Sequence, residues 1–285
     1  MARLVARVEK TFGRGMLTPA TELATCAKSP RSTGLLELDE LLGGGLPCGR
    51  IVEIAGTAGS GKSSLALALA IAVQGNDGVV AWIDIERALV AGHAAAQGVD
   101  LPSLLVARPR CAEQALELVE TLARSGDVAL VVLDSLAALI PEAELDSPLG
   151  VDSGPLQARL LSRALRRIAH AADEGGTTVV LVNQLRERHG AGETQDAPAG
   201  GHALGYYASV RLALRVDQPL MHDGLRVGDL VGVEVRKSRD VGPGGTMRLP
   251  LHYATGFARR SGSARIDDAN EQRTLPAGEI GLAAA

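Results

Sequence analysis

The chain has 285 residues, 46% hydrophobic and 22% charged, the composition of a folded globular protein, and wholesale disorder is excluded. Its 29 Lys and Arg against 33 Asp and Glu leave a net charge of −4, so a protein basic all over is excluded and any nucleic-acid surface must be local. The length allows one large domain or two small ones, with ample core.

Residues 1–32 predict a short amphipathic helix and a polar, Thr-, Ser- and Pro-containing linker. The opening MARLVARVEK has no signal-peptide core. Cys26, Cys48 and Cys111 share no CxxC spacing, which fits a reducing, cytoplasmic setting. The longest apolar stretches, Leu65–Val73 and Val128–Ile140, are too short to span a bilayer, and no membrane partner is expected. Only four basic residues are lysine (Lys10, Lys28, Lys62, Lys237), either by chance or because each does something Arg cannot.

Residues 33–260 read as a core in which strands and helices alternate. Arg50–Ala55 predicts an apolar strand, then a Gly-rich turn and the helical SSLALALAIAV. Further strands are predicted at Val79–Ile85, Val128–Leu133 and Thr177–Val182, with helices at Ala112–Arg124 and Leu156–Ala172 between them. Tyr206–Val216, alternating from Ala208 onward, Val231–Arg236 and Thr246–Tyr253 predict a half-exposed antiparallel addition. The expected fold class is α/β: a mainly parallel twisted sheet flanked by helices, with added antiparallel strands. Residues 261–285 read as a Gly/Ala-rich tail.

The turn Gly56-Thr57-Ala58-Gly59-Ser60-Gly61-Lys62-Ser63-Ser64 matches GxxxxGK[ST]. Glycines allow consecutive backbone N–H groups to converge on phosphate oxygens at a helix N-terminus, where the dipole favours anions. Lys62 would add a point charge at the β/γ-phosphates of ATP, and the Ser63 hydroxyl would ligate Mg2+. The strand ending on Asp134 supplies the carboxylate expected to hold that Mg2+. Glu86 ends another apolar strand and would polarise an attacking water, with Asp84 on the same face a rival that alternation does not separate. Gln184, at the end of a further strand, is placed either to sense a γ-phosphate or to bond nearby backbone. Arg159, Arg163, Arg166, Arg167 and His170 form a stripe on the Leu156–Ala172 helix, either a phosphate-tracking surface or a solvated face.

Seven ordered segments go beyond a nucleotide motif: VEKTFGRG, RSTGLLELDELLGGGLPCGRIVEIAG, WIDIERAL, EQALELVETLARSG, VVLDSLAAL, NQLR and GGHALGYYASVRL. By these, from about Val8 to Phe257, the chain resembles the bacterial RecA recombinase family. The resemblance implies a RecA-like P-loop ATPase core with ATP bound between subunits of a filament or ring on single-stranded DNA, acting in recombination, repair and the SOS response. It implies Lys62 and Ser63 on phosphate and Mg2+, Glu86 as general base, Asp134 as Walker-B acid, and Gln184 coupling ATP to the DNA loop behind it. Lys237 and Arg239 match two family lysines that reach a neighbour's γ-phosphate; from the residues alone they are equally a solvated strand-end pair. His93 matches an adenine-stacking tyrosine. Arg159, Ser162, Arg166, Arg186, Gly200 and Gly201 fall at or near DNA-contact positions.

The resemblance also has departures. The segment Glu142–Pro155 carries four acids and no base, and Gly154-Pro155 replaces a Met-Gly pair. The segment Glu187–Ala199 is about one residue shorter than the family pattern and has His189 at the position of an aliphatic wedge between bases. The small C-terminal domain of the family is not expected, and the N-terminal segment is short. These departures support an alternative: an accessory or regulatory relative that binds ATP and repair or SOS proteins without exchanging strands. A hexameric helicase motor is disfavoured by GGHALGYYASVRL.

Overall fold

The computed structural model describes residues 2–17, 29–148, 154–188, 195–198, 203–239 and 245–258. Its helices are α1 (Ala2–Phe12), α2 (Leu36–Leu41), α3 (Lys62–Gln74), α4 (Ala91–Gln97), α5 (Ala112–Arg124), α6 (Glu142–Leu145), α7 (Gly154–Gly175) and α8 (Ala203–Tyr207). The strands are β1 (Ile51–Gly56), β2 (Val80–Asp84), β3 (Leu104–Ala107), β4 (Leu130–Asp134) and β5 (Thr178–Arg188). They continue with β6 (Gln195–Pro198), β7 (Ala208–His222), β8 (Leu225–Ser238), β9 (Gly245–His252) and β10 (Gly256–Phe257).

These strands form one sheet in the order β10-β9-β8-β7-β1-β5-β4-β2-β3, with β6 paired to β5. The pairs β7-β1, β1-β5, β5-β4, β4-β2 and β2-β3 are parallel, while β7-β8, β8-β9 and β9-β10 are antiparallel. The expected α/β class, a parallel centre with an antiparallel addition, is therefore present. Alternation along β1 sends Val52 and Ile54 to one face and Ile51 and Glu53 to the other. On the first face α3 is buried through Leu65–Ile71 against Val80, Trp82, Val132, Val180 and Leu212. On the second face Leu116 and Val119 of α5 and Leu161, Leu165 and Ile168 of α7 pack on Ile83, Val131, Leu133 and Leu181. The result is a sheet between two helical layers, and no helix of the described residues is long and apolar enough to cross a membrane.

Element ends depart from the sequence reading in instructive ways. The second strand stops at Asp84, so Glu86 stands two residues beyond it rather than at its tip. β5 runs past Val182 to Arg188 because β6 pairs with its end, Leu185 opposite Pro198 and Arg188 opposite Gln195. Residues 203–207 are helical, and β7 starts at Ala208, where the alternation starts. β7 and β8 extend to a hairpin tip at Asp223 and Gly224, whose φ values of 50° and 77° are those a two-residue type I′ turn demands. That Asp-Gly pair was a readable signal that the strand predictions did not use. The short edge strand β3 and the helices α2 and α4 were not predicted. The tail at 261–285 and the linker at 18–28 lie outside the described residues.

Candidate active site

The carboxyl ends of β1, β2, β4 and β5 share one edge, where parallel α/β sheets place their ligand crevices. β1 ends at Gly56 and α3 begins at Lys62, so the Gly-rich turn lies on that edge. A Cβ on Gly56 would stand 2.4 Å from Ser60 Oγ and 2.6 Å from the Leu214 carbonyl oxygen. Gly61 caps α3 in the left-handed region at φ 88°, and a Cβ there would stand 2.9 Å from Leu251 Cδ2. The turn is thus a tight backbone cradle ending in a helix N-terminus. Ser60 Oγ is buried in it with no protein partner among the described residues. Thr57 is half-buried, Ala58 exposed and Ser64 half-buried along its rim.

Lys62 is buried and folds back over the turn, its Nζ donating to the Thr57 carbonyl at 2.6 Å. Burial pushes its pKa down, while the carboxylates of Asp134 and Glu86 oppose that shift. Asp134 is pushed up to about 6, first by burial and then by Glu86 and Asp84, against a hydrogen bond from Ser63 and the charge of Lys62. A buried amine, two carboxylates and a hydroxyl around a cradle of backbone N–H groups suit a polyphosphate with a hard divalent cation. Asp134 also makes a prediction without any ligand. Its folded pKa lies above the unfolded value of 3.8, so the folded chain holds the proton longer. Stability is therefore lost as pH rises from about 4 to about 6, and the full cost persists above that. In metal-free buffer, Asp134→Asn is expected to flatten this limb and to stabilise the chain at pH 7 by about 1–3 kcal/mol. Thermal unfolding followed through Trp82, the sole tryptophan, measures it; a variant with the parent's pH dependence refutes it.

Glu86 and Asp84 have different surroundings. Asp84 is buried and committed: Oδ2 accepts from Arg108 Nε at 3.0 Å and Oδ1 from the Ala88 N–H at 3.0 Å. Glu86 is exposed, and its Oε1 accepts from Ser135 Oγ and, at 3.3 Å, from Gln184 Nε2. Gln184 stands opposite Gly56 in the β1–β5 register, which brings it to the cradle. The Gln184 amide thus bonds the Glu86 carboxylate. Lys62, Asp134, Glu86 and Gln184 are accordingly one cluster.

Other predicted residues lie elsewhere. His93 is exposed on α4, with Nε2 2.7 Å from Gln97 Nε2. Gln97 in turn packs under Gly256, where a Cβ would meet its Oε1 at 2.6 Å, so α4 leans on the β9–β10 turn that backs the cradle through Leu251 and Phe257. Lys237 donates to the Gly205 carbonyl at 2.7 Å and Arg239 Nη2 to the Tyr206 carbonyl at 2.5 Å, both at α8 and not at Lys62. The helical Arg stripe is divided. Arg167 pairs with Glu120 at 2.7 Å, His170 with Glu174 at 3.4 Å, and Arg163 lines a groove with Glu113 and Glu117. Arg166 Nε reaches Tyr207 Oη at 3.4 Å, while Arg159 is exposed and Ser162 half-buried. Arg186 lies on β5 opposite Ala197, its side chain outside the description, and Gly200, Gly201 and His189 lie outside the described residues.

Sequence reasoning missed Ser135, Arg108 and the buried Glu53–Arg211 pair. A lone Glu within the apolar RIVEIA run was the signal for the last of these. No local pattern marks the other two, which act by contacts across the chain.

The match to known proteins is extensive. A family model described as the RecA N-terminal domain matches residues 1–258. The chain is 41% identical over 261 residues to Protein RecA of Nostoc punctiforme, covering 90% of this chain and 72% of that protein. It is 42% identical over 257 residues to Protein RecA of Bifidobacterium breve, with 90% and 66% covered. Against Protein RecA of Rubrobacter xylanophilus it is 41% identical over 258 residues, with 90% and 75% covered.

Proposed function

This chain belongs to the RecA family, and on that premise we propose that it is a DNA-dependent ATPase of the recombinase type, cytoplasmic and acting in recombination and DNA repair. The observation that carries this reading is the convergence of Lys62, Asp134, Glu86 and Gln184 on the cradle at Gly56–Ser63. In this reading the cradle N–H groups and Lys62 hold the β- and γ-phosphates of ATP. Ser63 and Asp134 hold Mg2+, which when bound neutralises charge developing on the phosphate oxygens. Glu86 takes a proton from water at Oε2. Ser135 and Gln184 both bond Oε1, so they fix the carboxylate without occupying the accepting oxygen. Gln184 also begins the route outward, since β5 continues from it into the β5–β6 hairpin.

Lys237 and Arg239 act in this reading across a subunit boundary, on the γ-phosphate held by a neighbouring copy in a filament or ring. Arg159, Ser162, Arg166, Arg186, Gly200 and Gly201 form the single-stranded-DNA surface. The division of the Arg stripe supports this choice, since Arg167 and His170 are paired with acids while, among the described residues, Arg159 and Arg166 are not. Repair or SOS regulatory proteins are the further partners.

The test is ATP hydrolysis with and without single-stranded DNA, with strand exchange measured on the same preparation. We expect stimulation of at least about tenfold, the scale of one 1.4 kcal/mol coupling. Absence of stimulation refutes the DNA-dependent reading. Stimulation without exchange assigns the accessory role, toward which the acidic α6 segment at Glu142 and Glu144 leans.

A further inference from the structure

The strand that leads into the cradle carries a charge that none of these steps uses. Glu53 is fully buried at the middle of β1, where an ionised carboxylate persists only if it is paired and hydrogen-bonded. Both oxygens are engaged: Asn183 Nδ2 donates to Oε1 at 2.9 Å and Arg211 Nε to Oε2 at 2.5 Å. The first partner stands immediately before Gln184 on β5. The second stands on β7, directly opposite Glu53 on one side and directly opposite Lys237 of β8 on the other. Glu53, Arg211 and Lys237 are therefore one row across three neighbouring strands. Gly205 of α8 covers its end, receiving Lys237 at its carbonyl and leaving 3.6 Å between its virtual Cβ and Arg211 Nη1.

We infer that Glu53 is a positioning residue for the trans-acting cations: its buried carboxylate fixes Arg211, keeps Lys237 charged and in place, and ties both to the strand bearing Gln184. The inference rests on the proposed role of Lys237 and adds the group that supports it. The charge arithmetic at that site requires such a group. Burial lowers the Lys237 pKa, and Arg239 and Arg211 lower it further, while Glu53 is the anion that opposes them. From α8 the facing atom is the uncharged Gly205 carbonyl, and from α7 Arg166 is engaged by Tyr207. Without Glu53 three cations would crowd one end of the β7–β8 ladder with no counter-charge from the described residues. Arg cannot relieve that crowding by losing a proton, and Lys can.

The scarcity of lysine makes a direct test practical. In protein labelled with 15N at the lysine side chains, four ammonium signals are expected, and the titration of Lys237 is followed on unassembled, nucleotide-free chain. Glu53→Gln keeps an acceptor for Asn183 and removes the charge. It is expected to bring the Lys237 midpoint to a pH lower by about one, the size of a nearby charge effect. It is also expected to cut assembly-dependent hydrolysis by about fivefold or more on the alkaline side, where Lys237 loses its proton earlier, with Lys237→Arg in the same background restoring it. A parent-like Lys237 titration with parent-like assembly overturns the inference. If Glu53→Gln does not fold, Glu53→Asp keeps the charge but withdraws it from Arg211, and a shift in the same direction is expected; parent behaviour there overturns it equally. The two readings fail separately. If Lys237→Ala assembles normally, the trans role itself is wrong; if it does not, and both Glu53 variants match the parent, only the positioning role is wrong.

Discussion

Glu86→Gln is expected to bind ATP within about twofold of the parent and to lower turnover by about 10²–10⁴, the usual contribution of a positioned base. The expectation follows from how the two carboxyl oxygens are used. Ser135 and Gln184 both reach Oε1, which leaves Oε2 without a protein partner among the described residues. The amide keeps size and an acceptor for Ser135 but has no basic oxygen. Nucleotide binding depends on the cradle and on Lys62, which Glu86 does not touch by hydrogen bond. Fluorescent-nucleotide titration alongside phosphate release separates the two quantities. Full turnover in the variant would remove Glu86 from the mechanism. Asp84 would not be an easy replacement, because Arg108 and the Ala88 N–H already occupy both of its oxygens.

Lys237→Ala has the second large expected effect, and of a different kind. Its ammonium sits on the Gly205 carbonyl, in a separate cluster from Lys62, so the isolated chain should bind ATP as the parent does. What should fail is ATP-dependent assembly, together with the hydrolysis that assembly allows. Cations supplied in trans to a γ-phosphate are worth about 10³–10⁵ in rate. Light scattering on ATP addition and nucleotide titration at a concentration below assembly give the two readings. Unchanged assembly would refute contact across the boundary. Arg239, held at the neighbouring Tyr206 carbonyl, is well placed to retain part of the function, so the double variant should be the more severe.

The sequence was most informative where one strand or turn carries its own signature. The Gly56–Ser63 turn, the apolar β4 ending on Asp134 and the buried LALALAIAV helix all stand where local pattern puts them. Pattern failed where identity depends on a distant partner. Asp84 and Glu86 are indistinguishable by alternation, and only the fold brings Arg108, from beyond β3, to Asp84 and not to Glu86. Likewise the Arg stripe looks uniform on a helical projection, and only Glu120 of α5 and Glu174 of α7 itself divide it. β5 reads as ending near Val182 because its outer half is stabilised by pairing with β6, not by burial of an apolar run. Ser135 carries no signal at all until the chain folds and brings it to Glu86.

The burial of α3 on every side has a thermodynamic corollary for ligand capture. From Leu65 to Ile71 each residue of that helix is buried, and three of them are alanines. The cradle is its N-terminal extension, so its shape is anchored to the close-packed core. A phosphate arriving there finds its donors already oriented and need not order a loose loop, so little of the interaction energy is lost to entropy. Calorimetry should therefore record a small heat-capacity change for nucleotide binding to the isolated chain. The large change should appear at the association step, where apolar surface leaves water.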